Sequence, residues 1–181
     1  MSAKGGGVPA RAIQEGGFAG GWRVTGAGVD RIDVAAVPGC ITADPFAPRR
    51  AGQGSRTPVT DGVQNAPPLL VELQDKSAAF TGEADLHVIN LTLLPHTEPD
   101  LLWLDAALGE GSVTVLSRGY GNCRISATAL SHVWRVQFFN SMDTLILDTF
   151  EMTKAPEVMV AAPEDLSDSG IRVLSVLEAI T

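Results

Sequence analysis

Cys123, set in Gly119-Tyr120-Gly121-Asn122-Cys123-Arg124, has the widest chemical repertoire of any side chain here. A thiolate beside a guanidinium can exchange with disulfides or hold an iron-sulfur cluster in transit, because nearby positive charge favours the ionised sulfur. Arg118 and Arg124 flank it in the chain. Against this stands the usual fate of an isolated cysteine on a strand, which is to be a small buried apolar residue. A redox or metal-handling protein centred on Cys123 therefore remains an alternative. Cys40 and Cys123 are the only cysteines, too few for a disulfide framework or a four-sulfur site, and they suit a reduced cytoplasm. His87, His96 and His132 lack a ligand spacing such as His-x-x-x-His, so no metal site is expected. A Cys123–His132 nucleophilic pair has no third orienting group in view. The glycines of Gly16-Gly17-Phe18-Ala19-Gly20-Gly21 are out of order for a dinucleotide loop. No catalytic residue, enzyme activity or cofactor is expected.

The same hexapeptide also suits recognition. Glycine and asparagine supply the positive φ angles of a hairpin tip, while Tyr120 and Arg124 are of types enriched at interface hot spots. Trp134 and Phe138 share one face of a strand and belong in a core; Phe139 faces the other way and is free to line an apolar groove. A formal charge of −8 argues against nucleic acid and anionic membrane as partners, since both need clustered Lys and Arg, whereas it would suit a basic partner segment. No apolar run approaches the roughly 20 residues that cross a bilayer, and the glycine-rich start lacks the order of a signal peptide. Arg49-Arg50 is followed by small and polar residues, unlike a twin-arginine export signal. A soluble, cytoplasmic protein is the expectation.

These residues need a scaffold, and the chain changes character near Ala66-Pro67-Pro68. Residues 1–66 hold 13 of the 19 glycines, with seven Lys or Arg against five Asp or Glu; after them six basic residues face sixteen acidic ones. Residues 1–66 are expected to be irregular or partly disordered, with apolar patches at Trp22–Val24 and Ile32–Val37 as strand candidates, and 67–181 to form the folded domain. Within it the spacing of Leu69, Leu70, Leu73 and Phe80 predicts a helix over 68–80, and His87–Leu91 reads as a buried strand. Thr97 can cap a helix carrying Leu101, Leu104 and Leu108, which Gly109 ends.

Strands are predicted at Ser112–Ser117, Cys123–Leu130, His132–Phe139 and Thr144–Glu151. Their short connections permit only antiparallel neighbours, a meander. A last helix opens at Pro163-Glu164-Asp165 with Leu166, Val173, Leu177 and Ile180 as its stripe. The fold class is α+β: an antiparallel β-sheet meander with helices packed on one face, in two layers.

Several of these segments, in order, resemble the C-terminal conserved region of the HupH/HyaF/HoxQ family of hydrogenase expression/formation proteins. They are Leu86–Leu91, Leu108–Gly111, Ser117–Ile125, Val133–Val136, Phe139-Asn140-Ser141, Asp143–Leu147, Pro156–Val158 and Ala161–Leu166. Residues 1–66 show no likeness to the usual N-terminus of that family. The resemblance implies a non-catalytic chaperone in the maturation of nickel-iron hydrogenase, acting on the small subunit that carries iron-sulfur clusters. It implies two partners, the small-subunit precursor and a thioredoxin-like accessory protein of the same pathway. Partner binding is assigned to Tyr120, Asn122, Cys123, Arg124, Phe139 and Asn140. Full-length relatives are longer and hold two related copies of the region, so this chain is read either as a self-associating homodimer or as a shortened paralogue; a generic interaction module is a further alternative.

Overall fold

The computed structural model describes residues 2–5, 11–26, 28–82, 86–117 and 122–180. Four strands come first, β1 (Ser2–Gly5), β2 (Arg11–Glu15), β3 (Gly21–Gly26) and β4 (Val29–Val34). The short helix α1 (Gly39–Ala43), the two-residue strand β5 (Arg50–Ala51) and the helix α2 (Ala66–Ala79) follow. Then come β6 (His87–Asn90), α3 (Glu98–Leu108), β7 (Gly109–Glu110), β8 (Val113–Ser117), β9 (Asn122–Ala127), β10 (Val133–Phe139), β11 (Leu145–Met152) and α4 (Pro163–Ile180). Among the described residues nine strands form one sheet in the order β4-β3-β2-β1-β8-β9-β10-β11-β6, and β5 pairs with β7 alone. Every pairing is antiparallel. The α+β class and the β8–β11 meander are those expected from the strand alternation.

Pleating divides β10 between two cores. Trp134 and Val136 point to one, with Val113, Val115 and Ile125, while Val133 points to the other, with Phe150 and Met152. α2 and α3 cover the second core through Leu70, Leu73, Trp103 and Leu104. Side chains as fully enclosed as these contribute roughly 1.5–3 kcal/mol each relative to exposure.

The first core is closed by a part of the chain expected to be irregular. Arg11–Val34 forms β2, β3 and β4: Ile13 of β2 and the alternating Trp22 and Val24 of β3 are 5% exposed or less and share a core with Ile125 and Trp134, whereas Ile32 and Val34 of β4 are exposed. Two glycines of that stretch sit where φ is positive, Gly20 at 75° and Gly28 at 74°. They are turn residues between strands, not marks of a disordered segment. Beyond Val34 the chain up to α2 is mostly turn, bend or irregular, as glycine and proline content suggests.

α3 begins on a capping box. The Asp100 N–H donates to the Thr97 Oγ at 3.1 Å, and the Thr97 N–H donates to the Asp100 carboxylate at 3.0 Å. Gly109 ends it with φ 71°. A Cβ at Gly109 would collide with the Arg50 carbonyl and the Gly52 amide, so glycine also lets β5 approach β7.

α4 departs from expectation. Its first turns are anchored: the Ala19 N–H donates to Ser169 Oγ at 2.8 Å and Arg172 lies 5.1 Å over the Phe18 ring. Leu166 is half-buried, but Val173, Leu177 and Ile180 are exposed, Ile180 at 74%. One core is covered by α2 and α3, and the other takes Ile41 and Met159 from outside the sheet, with none of Val173, Leu177 and Ile180 in either. Among the described residues no helix is long and apolar enough to cross a membrane.

Candidate partner-binding face

β9 and β10 pair with Asn122 opposite Phe139, Cys123 opposite Phe138 and Arg124 opposite Gln137. Successive side chains leave opposite faces of a strand, so Cys123 turns into the core with Phe138 while Arg124 turns outward. Cys123 is 5% exposed. Burial pushes its thiol up to about 11, and the Glu151 carboxylate adds to the rise. Arg124, adjacent in the chain, stands on the wrong side of the sheet to favour a thiolate. Cys40 is likewise raised to about 11 by burial, against a partial offset from the N–H groups of Cys40 and Ile41.

The other expected binding residues converge at the far end of this hairpin. Asn122 Nδ2 donates to Asp143 Oδ1 at 3.0 Å. Asn140 Oδ1 accepts from the N–H groups of Met142 and Thr144, both at 2.9 Å, and so shapes the β10–β11 turn. Phe139 is half-buried where the register shifts between Phe138 and Phe139. Tyr120 lies outside the described residues. The structure thus brings Asn122, Arg124, Phe139 and Asn140 to one region and withdraws Cys123 from it.

Beside Arg124, on the sheet face left open by α2 and α3, lies a polar cleft of about 170 Å³. β9 supplies Arg124 and Ser126, β10 supplies Arg135 and Gln137, and the α3–β7 corner supplies Asp105 and Glu110 opposite Arg49 and Arg50. Arg49 donates to Glu110 at 2.6 Å, and Arg50 donates to Glu110 at 3.3 Å and to the Asp105 carbonyl at 2.9 Å. Arg49, then Arg50, holds the Glu110 carboxyl below its usual range against the opposing effect of burial. Arg135 forks onto Asp148 at 3.0 and 2.7 Å and reaches Asp105 at 2.8 Å. Gln137 Nε2 adds a bond to Asp148 at 3.2 Å.

Sequence reasoning missed most of this cleft. Its local signals were Arg124 and Ser126 on one strand and Arg135 and Gln137 on the next, each pair in the polar phase of a strand whose other phase is apolar. Arg49 and Glu110, 61 residues apart, carry no local signal of pairing.

The histidines do not converge. His87 Nε2 lies 2.7 Å from Glu72, His96 Nδ1 lies 2.9 Å from the Leu94 carbonyl, and His132 stacks on Phe80 at 4.3 Å between centroids. Among the described residues no group of three or more His, Cys, Asp or Glu side chains is placed to hold a metal ion.

The chain is thus an antiparallel α+β protein with a polar cleft on the open part of its sheet face and Cys123 buried. The chain belongs to the HupH family of hydrogenase expression proteins: the C-terminal conserved region of that family matches residues 63–180. It is 63% identical over 174 residues to the hydrogenase expression/formation protein HupH of Rhodobacter capsulatus, covering 96% of this chain and 63% of that protein. It is 49% identical over 172 residues to the hydrogenase expression/formation protein HoxQ of Cupriavidus necator, covering 92% and 60%. Among solved structures, the hydrogenase expression protein HupH from Thiobacillus denitrificans aligns with TM-score 0.57 and 29% identity over 64% of this chain and 95% of that one. The chain spans about three fifths of the length of the curated relatives it matches. A match over 96% of the chain takes in most of residues 1–66, so the likeness to this relative is not confined to the blocks from Leu86 onward.

Proposed function

We propose that this chain is a non-catalytic, cytoplasmic accessory protein in the maturation of nickel-iron hydrogenase, a chaperone that holds the small-subunit precursor before or during the acquisition of its iron-sulfur clusters. The relatives' names supply the hydrogenase connection. The observation that carries the binding role is the open half of the sheet face, where Arg124 lines a polar cleft, Asn122 and Phe139 pair next to it on the same strands, and Cys123 is turned away. A thioredoxin-like accessory protein of the same pathway is the proposed second partner. The redox or metal-handling alternative is disfavoured by a thiol that is both buried and raised to about 11.

Affinity purification of the tagged chain from its native cell under low oxygen tests the reading. The small-subunit precursor is expected to co-purify with the wild type and to be depleted with Tyr120→Ala plus Arg124→Ala. A wild-type preparation that retains no hydrogenase subunit and no accessory protein would remove the proposal.

A further inference from the structure

We infer that the cleft beside Arg124 is a receptor for a single carboxylate presented by a partner polypeptide from a neutral or basic segment. The inference rests on the binding face proposed above and names the chemistry that face recognises.

The wall carboxylates are occupied: Glu110 by Arg49 and Arg50, Asp105 by Arg135, and Asp148, just behind the wall, by Arg135 and Gln137. Three of the four guanidiniums are occupied by the same contacts. Arg124 has no hydrogen bond or ion pair among the described residues, and the neighbouring Ser126 and Thr114 side chains are likewise unbonded there. The unmet charge is therefore a donor's, a planar fork whose geometry matches a carboxylate, beside hydroxyls that can donate as well as accept.

Charge sets the valence of the ligand. Four guanidiniums against Asp105, Glu110 and Asp148 leave the cleft one positive charge in excess, inside a protein of net charge −8. One carboxylate neutralises that excess, whereas a phosphate ester, at about −1.5 to −2, would overshoot it. The same overall charge repels a run of acidic residues at long range, so the carboxylate belongs in a neutral or basic setting.

Volume sets the form of the ligand. At about 170 Å³ the cleft is smaller than the pockets of roughly 300–1,000 Å³ that take whole small molecules. It has room for the end of one side chain or of one polypeptide, held from outside by the rest of the partner.

Two sources share this chemistry, an Asp or Glu side chain and a C-terminal α-carboxylate. Three otherwise identical Lys- and Gly-containing peptides separate them when titrated into the purified chain and followed by NMR: Glu with an amidated end, Gln with an amidated end, and Gln with a free end. Either carboxylate peptide is expected to bind at least tenfold more tightly than the Gln amide, and the one that does identifies the source. Arg124→Gln is expected to abolish that preference with the melting temperature unchanged, because Arg124 holds nothing within the chain. Arg124→Lys should restore it only in part, lacking the fork. Equal binding of all three peptides, or a preference that survives Arg124→Gln, would overturn the inference. So would inorganic phosphate competing better than acetate. Because no hydrogenase component is present, failure here leaves co-purification standing, and loss of co-purification with this preference intact removes the hydrogenase reading alone.

Discussion

The Asp100 carboxylate accepts a hydrogen bond from the Ala66 N–H at 3.0 Å, so the first turn of α3 holds the first turn of α2. The same oxygen takes the N–H groups of Gln64 and Asn65 at 2.8 and 2.9 Å, and the other oxygen takes Thr97 N–H. Asp100 is fully buried. Burial alone would raise its pKa, but these N–H donors outweigh it and hold the carboxyl well below the usual range.

Asp100→Ala is expected to cost roughly 2–4 kcal/mol in urea unfolding, since it leaves buried N–H groups at two helix starts without an acceptor. A depressed carboxyl pKa stabilises the fold above the unfolded value of about 3.9 and withdraws that support as pH falls toward the folded value. Wild type should therefore lose stability more steeply below about pH 4 than Asp100→Asn does. Parallel acid profiles for the two would contradict this arrangement.

Arg135 and Asp148 form the most enclosed ion pair among the described residues, with side chains 16% and 5% exposed. Asp148→Ala should destabilise by about 2–4 kcal/mol, because it removes the fork from a guanidinium that is largely out of water and leaves it only the more exposed Asp105. Replacing both, as Arg135→Met with Asp148→Leu, should recover most of that loss. A double-mutant cycle measures the difference, and additive single effects would show that the two are not coupled.

Both thiols should be slow toward a disulfide reagent at pH 8 in the folded protein and both should react at once in denaturant. A raised thiol pKa in the folded state means that the unfolded chain ionises first, from about pH 8.5. Stability should accordingly fall as pH rises from there toward about 11, the value to which both thiols are raised. One rapidly titrating thiol in the folded protein would return Cys123 to the list of reactive groups.

Leu174→Ser and Ile180→Ser, on the exposed stripe of α4, should each shift stability by about 0.5 kcal/mol or less. Ile125→Ala, in the core between β8 and β10, should cost about 2–5 kcal/mol. Urea midpoints compare them directly. A core-sized loss at Leu174 or Ile180 would mean that the stripe is packed in solution.

Much of this protein was legible along the chain. Local signals carried α2, the Thr97 cap and Gly109 stop of α3, and the alternation of β9 and β10, because each depends on neighbours within a few residues or on a period of two. The family likeness was legible for the same reason, as ordered blocks from Leu86 onward. The N-terminal strands were legible only as the apolar patches at Trp22–Val24 and Ile32–Val37, since glycines at their turns obscured how far the segment is ordered.

Which face Cys123 occupies, what Arg49 and Glu110 do for each other, and where a charge is left without a partner were decided by the tertiary structure. Those facts depend on contacts between residues up to 61 positions apart and on which side of the sheet the helices settle. Arg124 shows the division most plainly. Its alternation with Cys123 and Ile125 assigns it to the polar face of its strand, but only the folded arrangement pairs every other guanidinium of the cleft and leaves this one open.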